Sequence, residues 1–209
     1  AVTGNTRRYG ASLEKIKKVI EPRPNEIMFG LNMIVSKGKT VFVGDTSVHE
    51  YPSSEQLAEI AISTARVVRL FGFDPKVAFV SHSTFGQPLT SRTKHIKNAV
   101  NILKEKNVDF EFDGDMQPDV ALNGQYKELY PFSNIVGNAN ILVMPGQHSA
   151  AISYKLMREL GGAKVIGPLL VGLAQPIEIA PLRSSTSDIL NLASVAAYSA
   201  GVIKYSKKN

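Results

Sequence analysis

The arrangement of apolar residues constrains the fold of this chain more than any other feature, because short apolar runs alternate with stretches of helical spacing. The runs at 27–35 and 77–80 are bounded by turn residues and have the length of buried strands. Between them, Leu57, Ile60 and Val68 recur at the spacing of one helix face. Strands that alternate with helices predict a mainly parallel sheet with helices on both of its faces.

Turn and cap residues mark several element boundaries. The turn residues at 37–39 separate two apolar runs and predict a hairpin, so one antiparallel pair joins the parallel sheet. Ser53 with Gln56, and Ser185 with Asp188, have the spacing of capping boxes, which predict a helix start at each place. Further helices are expected over 12–20, 93–106 and 150–160, and further strands over 110–112, 141–144, 165–166 and 177–179. We therefore expect one compact α/β unit.

Composition and charge exclude several classes of protein. With 44% hydrophobic and 20% charged residues, the chain can bury a core and is not a disordered protein. The net charge of +6 comes from the ends, 1–23 and 201–209, whereas a nucleic-acid groove needs basic residues on the folded body, so we expect no nucleic-acid partner. No apolar run approaches the about 20 residues of a membrane span. The polar start and the zero cysteines favour a cytoplasmic location without disulfides.

Three polar loops follow predicted strands and are the candidate ligand sites, because ligands of open α/β sheets bind beyond the carboxyl ends of the strands. The loop at 81–88 offers donors for an anion from Ser81, Ser83, Thr84 and Gly86. The loop at 145–150 leads into a helix, whose first N–H groups attract anions, and it carries Gln147, His148 and Ser149. In both loops the alternative is an ordinary turn or helix start that binds nothing.

The third loop, at 112–119, holds three aspartates, but its spacing lacks the final glutamate of a calcium loop. We expect turn-forming aspartates there, and no metal site. The chain also lacks a P-loop, a Gly-x-Gly-x-x-Gly fingerprint and a Gly-x-Ser-x-Gly elbow. Its histidines show no metal-ligand spacing; they are His49, His82, His95 and His148. The residues alone thus predict an α/β domain with polar loops at one edge.

Seven short motifs spread over nearly the whole chain resemble, in the same order, those of the phosphate acetyltransferases. They lie at 2–4, 45–48, 81–86, 113–117, 138–145, 152–156 and 167–173. The resemblance implies a three-layer α/β/α sandwich of the isocitrate-dehydrogenase-like type, a cleft for coenzyme A thioesters and a dimer. It also implies a missing N-terminal subdomain to which 1–25 belongs, a main subdomain at 26–180, and a C-terminal helix at 181–209 that returns to the first subdomain.

The sequence departs from that family at positions that matter for catalysis. Active members carry a Ser-Arg pair before the last helix and an arginine in the first helix. In an ungapped register, Pro181 and Leu182 stand at the positions of the Ser-Arg pair, and Glu14 stands at the position of the arginine. The aspartate that follows the pair in active members is kept as Asp188. Acetyl transfer needs cations for the phosphate and a base for the thiol, so these changes predict that it is lost. Arg183 is the nearest cation that could hold a phosphate.

The same pattern of loss is similar to that of phosphotransacetylase-like domains at the C-terminal end of bacterial malic enzymes, which the segments at 29–33, 37–43 and 179–182 also resemble. In those proteins an N-terminal region oxidatively decarboxylates malate to pyruvate with NADP and a divalent metal, Mg²⁺ or Mn²⁺. The resemblance implies that this chain has no catalytic residues or cofactor of its own and binds acetyl-CoA as an inhibitor. The expected contacts are Ser81, Ser83, Thr84, Gly86, Gln147, His148, Ser149, Arg183 and Asp188.

The resemblance also implies a homo-oligomer, at least a dimer. The expected contributors are the hairpin at 27–43 or, on the last helix, Ile189, Leu190, Leu192 and Val195. Two alternatives remain open at this point. One is an active phosphate acetyltransferase fragment, which would convert acetyl-CoA and phosphate to acetyl phosphate and CoA. The other is a purely structural oligomerisation domain that binds no ligand.

Overall fold

The computed structural model describes residues 1–206, apart from the side chains of Arg92, Lys127 and residues 202–206. Strands and helices alternate along most of the chain, as the apolar pattern predicts. In chain order the elements are β1 (Val2–Gly4), α1 (Tyr9–Lys17), β2 (Phe29–Ser36), β3 (Lys39–Gly44), α2 (Ser54–Leu70), β4 (Lys76–Val80), α3 (Ser91–Glu105), β5 (Glu111–Met116), α4 (Pro118–Leu122), a 3-10 turn (Gly124–Leu129), β6 (Ile141–Val143), α5 (Gln147–Glu159), β7 (Lys164–Val171), β8 (Glu178–Ala180) and α6 (Thr186–Ser206).

Six strands form the main sheet in the order β5-β4-β6-β3-β2-β7. The four strands from β5 to β3 are parallel, and β2 runs antiparallel to both of its neighbours, β3 and β7. The predicted hairpin turns at Lys37 and Gly38, whose φ angles of 49° and 75° fit the left-handed conformation that tight hairpins use. The fold class is therefore confirmed as a mainly parallel α/β sheet with an antiparallel pair.

Alternating side chains of the strands form a core on each face of the main sheet. Phe42 packs into a core beneath α2 and α3, whereas its neighbours Val41 and Val43 point to the opposite core with residues of α4 and α5. The sheet thus lies between two helical layers, which confirms the three-layer arrangement. A smaller cluster holds α1 against β7 and β8, through residues such as Leu13, Leu170 and Ile179.

The strand β8 lies outside the main sheet, where it pairs in parallel with β1 as a separate two-stranded sheet. The helix α6 packs on β8, β7 and β1, so the two ends of the described chain meet at this small sheet. The division at 25 and 181 into parts of two subdomains stays a prediction. Among the described residues, no helix combines the length and the apolar character that a membrane crossing demands.

One prediction about a loop was wrong. The segment 112–119 is largely regular, because β5 continues to Met116 and α4 starts at Pro118. A strand can carry Asp113 and Asp115 here since their carboxylates are hydrogen-bonded: Asp113 accepts from the backbone N–H groups of Gly114 and Asn134 at 2.9 and 2.7 Å. These aspartates therefore stabilise a strand end and the segment beside it, rather than forming turns.

Candidate functional site

The carboxyl ends of β3, β4, β5 and β6 lie at one edge of the sheet, because these four strands are parallel. The segments that follow three of them, 45–50, 81–88 and 144–149, are called the carboxyl edge below. They contain seven of the nine residues that the sequence predicts as ligand contacts, while Arg183 and Asp188 belong to the segment before and at the start of α6. This edge is the first candidate site.

The first segment of the carboxyl edge is held by Asp45, which is buried. Its Oδ1 accepts hydrogen bonds from the backbone N–H groups of Gly30, Ser47 and Val48 at 2.8, 2.8 and 3.1 Å. Its Oδ2 accepts from the backbone N–H of His49 and lies 2.7 Å from Nδ1 of the same residue. A carboxylate has no proton to donate, so the imidazole donates from Nδ1. Asp45 therefore orders the segment, a role that sequence reasoning missed.

The second segment is tied to the end of β5 through Asp115, which is also buried. The hydroxyl of Ser83 donates to Oδ2 of Asp115, and the backbone N–H of Gly86 donates to Oδ1 at 2.9 Å. The hydroxyl oxygen of Thr84 accepts from the backbone N–H of Gln117 at 3.2 Å, and that of Ser81 accepts from the N–H of Ser83 at 3.3 Å. The structure brings the predicted donors together. Asp115 engages the donors of Ser83 and Gly86 inside the protein, whereas the hydroxyls of Thr84 and Ser81 are acceptors in these contacts.

The third segment starts α5 beside a cavity of about 390 Å³ that residues near the starts of α2, α3 and α5 also line. The N–H of Gln147 donates to the carbonyl oxygen of His49 at 3.0 Å, and the hydroxyl of Ser149 donates to the carbonyl oxygen of Gly146 at 2.8 Å. His148 is exposed, with Nε2 at 2.9 Å from a carboxylate oxygen of Glu50. Helix starts favour an anion here, but the Glu50 carboxylate opposes one.

The predicted residues Arg183 and Asp188 lie before and at the start of α6, which packs on β8, β7 and β1. Asp188 closes the predicted capping box: its Oδ2 accepts from the backbone N–H and the hydroxyl of Ser185 at 2.9 and 2.8 Å. Arg183 is exposed and has a φ of 63°. The described ion pairs do not include it, so its guanidinium is available to an anion.

A larger cavity, of about 500 Å³, lies between α2 and α6 and is called the α2–α6 cavity below. Its walls are mostly apolar and include Val67, Leu70, Phe71, Leu169, Leu173 and Val195. Arg23, Glu26 and Arg66 also line it. Sequence reasoning did not predict this cavity, because its walls come from four distant parts of the chain.

The α2–α6 cavity is also lined by Glu178, which is only 3% exposed. One carboxylate oxygen, Oε2, accepts from the backbone N–H of Leu170 at 2.8 Å. Burial is the main cause that raises the pKa of Glu178 from 4.5 to about 8. A signal was present in the sequence, because a glutamate between Ile177 and Ile179 places a carboxyl within an apolar strand.

Among the described residues, no group of three His, Asp or Glu side chains could hold a metal.

Comparisons with known proteins agree on one family. The family profile described as "Phosphate acetyl/butaryl transferase" matches residues 1–197. The NADP-dependent malic enzyme of Rhizobium meliloti is 48% identical over 200 residues, which cover 96% of this chain and 26% of that protein. The phosphate acetyltransferase of Clostridium acetobutylicum is 39% identical over 209 residues, which cover 95% of this chain and 62% of that protein.

A solved structure gives the same result. The phosphotransacetylase from Streptococcus pyogenes superposes with a TM-score of 0.89 at 30% identity, covering 95% of this chain and 62% of that one. The chain therefore spans about a quarter of the length of the malic enzymes it matches and less than two thirds of the phosphate acetyltransferase.

The buried carboxyl of Glu178 predicts a pH dependence of stability. Between about pH 4.5 and 8 the folded chain holds a proton that the unfolded chain releases, so its free energy of unfolding falls as the pH rises through this range. The slope is about 1.4 kcal/mol per pH unit at most. Urea unfolding at pH 5, 6, 7 and 8 should therefore show that the free energy of unfolding of Glu178→Gln increases relative to that of the wild type as the pH rises. A difference that does not change with pH would contradict this assignment.

Proposed function

Because the chain belongs to the phosphate acetyl/butaryl transferase family and matches malic enzymes as well as acetyltransferases, we propose that it is a non-catalytic regulatory domain of an NADP-dependent malic enzyme. In such a cytoplasmic parent, an N-terminal region would decarboxylate malate oxidatively to pyruvate with NADP and Mg²⁺ or Mn²⁺. This chain would bind acetyl-CoA as an inhibitor and join the subunits. The identity of 48% to a malic enzyme, against 39% to a phosphate acetyltransferase, supports this choice.

The proposal is carried by the residues found in the segment that leads into α6, where the cations of the active family are missing. Leu182, at the position where the resemblance implies an arginine, is an apolar side chain that is 51% exposed. Asp188, the retained acidic residue, is engaged as a helix cap. Glu14 lies exposed on α1, 3.6 Å from Nζ of Lys17. A phosphate in this region would lack the two cations that the family resemblance implies, and cations of this kind stabilise the charge that develops in group transfer.

Binding without turnover suits an inhibitory domain. An effector changes an enzyme only if it binds one of two states more tightly, and it must remain chemically intact while bound. NADP and the divalent metal would belong to the region outside this chain. Of the predicted contacts, His148 and Arg183 have exposed side chains that could meet an anionic ligand.

A second candidate is an active phosphate acetyltransferase. It is favoured by the 39% identity to the enzyme of Clostridium acetobutylicum and by the match to the phosphotransacetylase structure. The two candidates differ in one measurable reaction.

We predict that the chain does not form acetyl-CoA from acetyl phosphate and CoA, because Glu14, Pro181 and Leu182 replace the groups that the reaction needs. The assay follows thioester formation by absorbance, with the phosphate acetyltransferase of Clostridium acetobutylicum as the positive control. Turnover in the ordinary enzyme range, roughly 1 to 10³ per second, would support the second candidate instead.

For a malic enzyme that carries this chain, we predict that acetyl-CoA inhibits NADP-dependent malate oxidation. Acetyl phosphate and CoA, tested separately at the same concentrations, should inhibit less, because neither carries both the acyl group and the nucleotide. NADPH absorbance gives the rate over an acetyl-CoA series. A rate that is the same at every acetyl-CoA concentration would exclude the regulatory proposal.

The proposed homo-oligomer would use fewer residues of α6 than the sequence suggests. Leu192 is 2% exposed and belongs to the core, whereas Leu190 is 65% exposed. We predict that the chain sediments as at least a dimer at micromolar concentration, and that Leu190→Asp lowers its mass by placing a charge in an apolar contact. Leu129→Asp is the matched control, because Leu129 is 66% exposed. A wild-type monomer would refute self-association, and equal effects of the two variants would remove Leu190 from the interface.

A further inference from the structure

We propose that the outward face of α5 packs against the same face of α5 in a second copy of this chain, in a two-fold contact. The inference rests on the proposed function, in which this chain joins subunits, and it names a surface that would do so. The residues concerned form an exposed apolar strip along α5 and its C-cap, called the α5 strip below: Ile152, Leu156 and Leu160.

The helix α5 has apolar side chains on two opposite faces. Ala150, Tyr154 and Met157 belong to the core on one side of the main sheet. At about 3.6 residues per turn, the α5 strip lies on the opposite side of the helix, where its three side chains are 59%, 52% and 84% exposed in chain order. A surface helix ordinarily presents polar residues outward, whereas a helix that is apolar on both faces is covered on both. We therefore expect a protein surface to cover the α5 strip.

The shape of the α5 strip suits a second copy of itself. Its members are four residues apart, so they form one ridge along the helix surface. The neighbouring row contains Ser149 and Ser153, whose short side chains leave a groove beside the ridge. A two-fold contact requires a surface that is complementary to itself, and here the ridge of each copy can enter the groove of the other. Such packing of two four-residue ridges is the commonest class of helix–helix contact, with axes about 8–10 Å apart.

The apolar surface continues from the α5 strip towards the carboxyl edge. His148 lies one turn before Ile152 and is exposed, and the ring of Tyr51, which is 78% exposed, stacks on it with 6.5 Å between the ring centroids. Together these side chains form a patch on the order of a few hundred Å², the size at which exposed apolar surface marks an interaction site. Lys155 and Glu159 are exposed beside it and give the apolar centre a charged rim, as protein interfaces have.

The helix α6 offers a smaller apolar surface for the same purpose. Leu190 is 65% exposed, but the residues one turn before and after it are Thr186 and Ser194, which are polar and exposed. The two surfaces are separate, because α5 packs on β3 and β7 whereas α6 packs on β8, β7 and β1. Of the two helices, α5 thus presents the larger apolar surface, and its contact does not require Leu190.

The chain has no cysteine, so a single introduced one reports which surfaces of two copies meet. We expect a short bis-maleimide to join Leu156→Cys into a covalent dimer, because a two-fold contact along α5 brings both copies of this position together. Arg158→Cys is the matched control and should stay monomeric on a denaturing gel, since Arg158 lies on the same helix outside the α5 strip and its side chain is 53% exposed. Cross-linking of Leu190→Cys alone, or equal cross-linking of Leu156→Cys and Arg158→Cys, would overturn the inference.

A charge placed on the α5 strip tests its energetic contribution. Leu156→Asp should raise the dissociation constant of self-association, measured by sedimentation, at least about tenfold, because the contact would bury one carboxylate from each copy. Arg158→Asp adds the same group to the same helix and should associate as the wild type does. Circular dichroism confirms folding of each variant. Unchanged association of Leu156→Asp would overturn the α5 contact and leave the proposed inhibition by acetyl-CoA intact, whereas a wild-type monomer would refute both the contact and the joining of subunits.

Discussion

Strand β2 is hydrogen-bonded to β3 on one side and to β7 on the other, and this double pairing holds the molecule together. The four parallel strands lie on its β3 side, whereas β7 connects to β8 and α6 on the other. Without β2 the main sheet would be divided into two parts. The start of β2 also fixes the carboxyl edge, since the N–H of Gly30 donates to the buried carboxylate of Asp45. The antiparallel hairpin is therefore the link between the sheet and both candidate sites.

The sequence was most informative where local chemistry decides the structure. The capping box of Ser53 and Gln56 forms as expected, because both partners lie within one helical turn. Likewise, the turn at Lys37 and Gly38 requires no distant residue. The strand β1 was missed since three residues, Val2–Gly4, carry no usable periodicity and become a strand only by pairing with β8. The aspartates of β5 misled the assignment because polar residues usually indicate turns, and their distant donors cannot be seen in the sequence.

The candidate sites show the same limit. Sequence reasoning found the polar loops at the carboxyl edge, but not that Ser83 is committed to Asp115, which lies 32 positions away. Availability of a donor is a tertiary property, because it depends on which groups the fold brings next to it. The α2–α6 cavity was beyond sequence reasoning for a related reason. A wall built from α2, β7 and α6 has no local pattern, and only the isolated Glu178 in an apolar strand indicated that something polar is buried there.

The position of α6 has a consequence for how the chain could transmit a signal. The helix is anchored on β8 and β1, and beside the α2–α6 cavity the hydroxyl of Tyr198 on α6 donates to the carbonyl oxygen of Leu70 on α2 at 3.1 Å. A ligand in the cavity would therefore contact α6 and the end of α2 at the same time. A partner surface that binds α6 in only one position would change the affinity of the cavity for its ligand by some factor. By thermodynamic linkage, that ligand would change the affinity of α6 for the partner by the same factor. The helix α6 would then move about its contacts with the small two-stranded sheet.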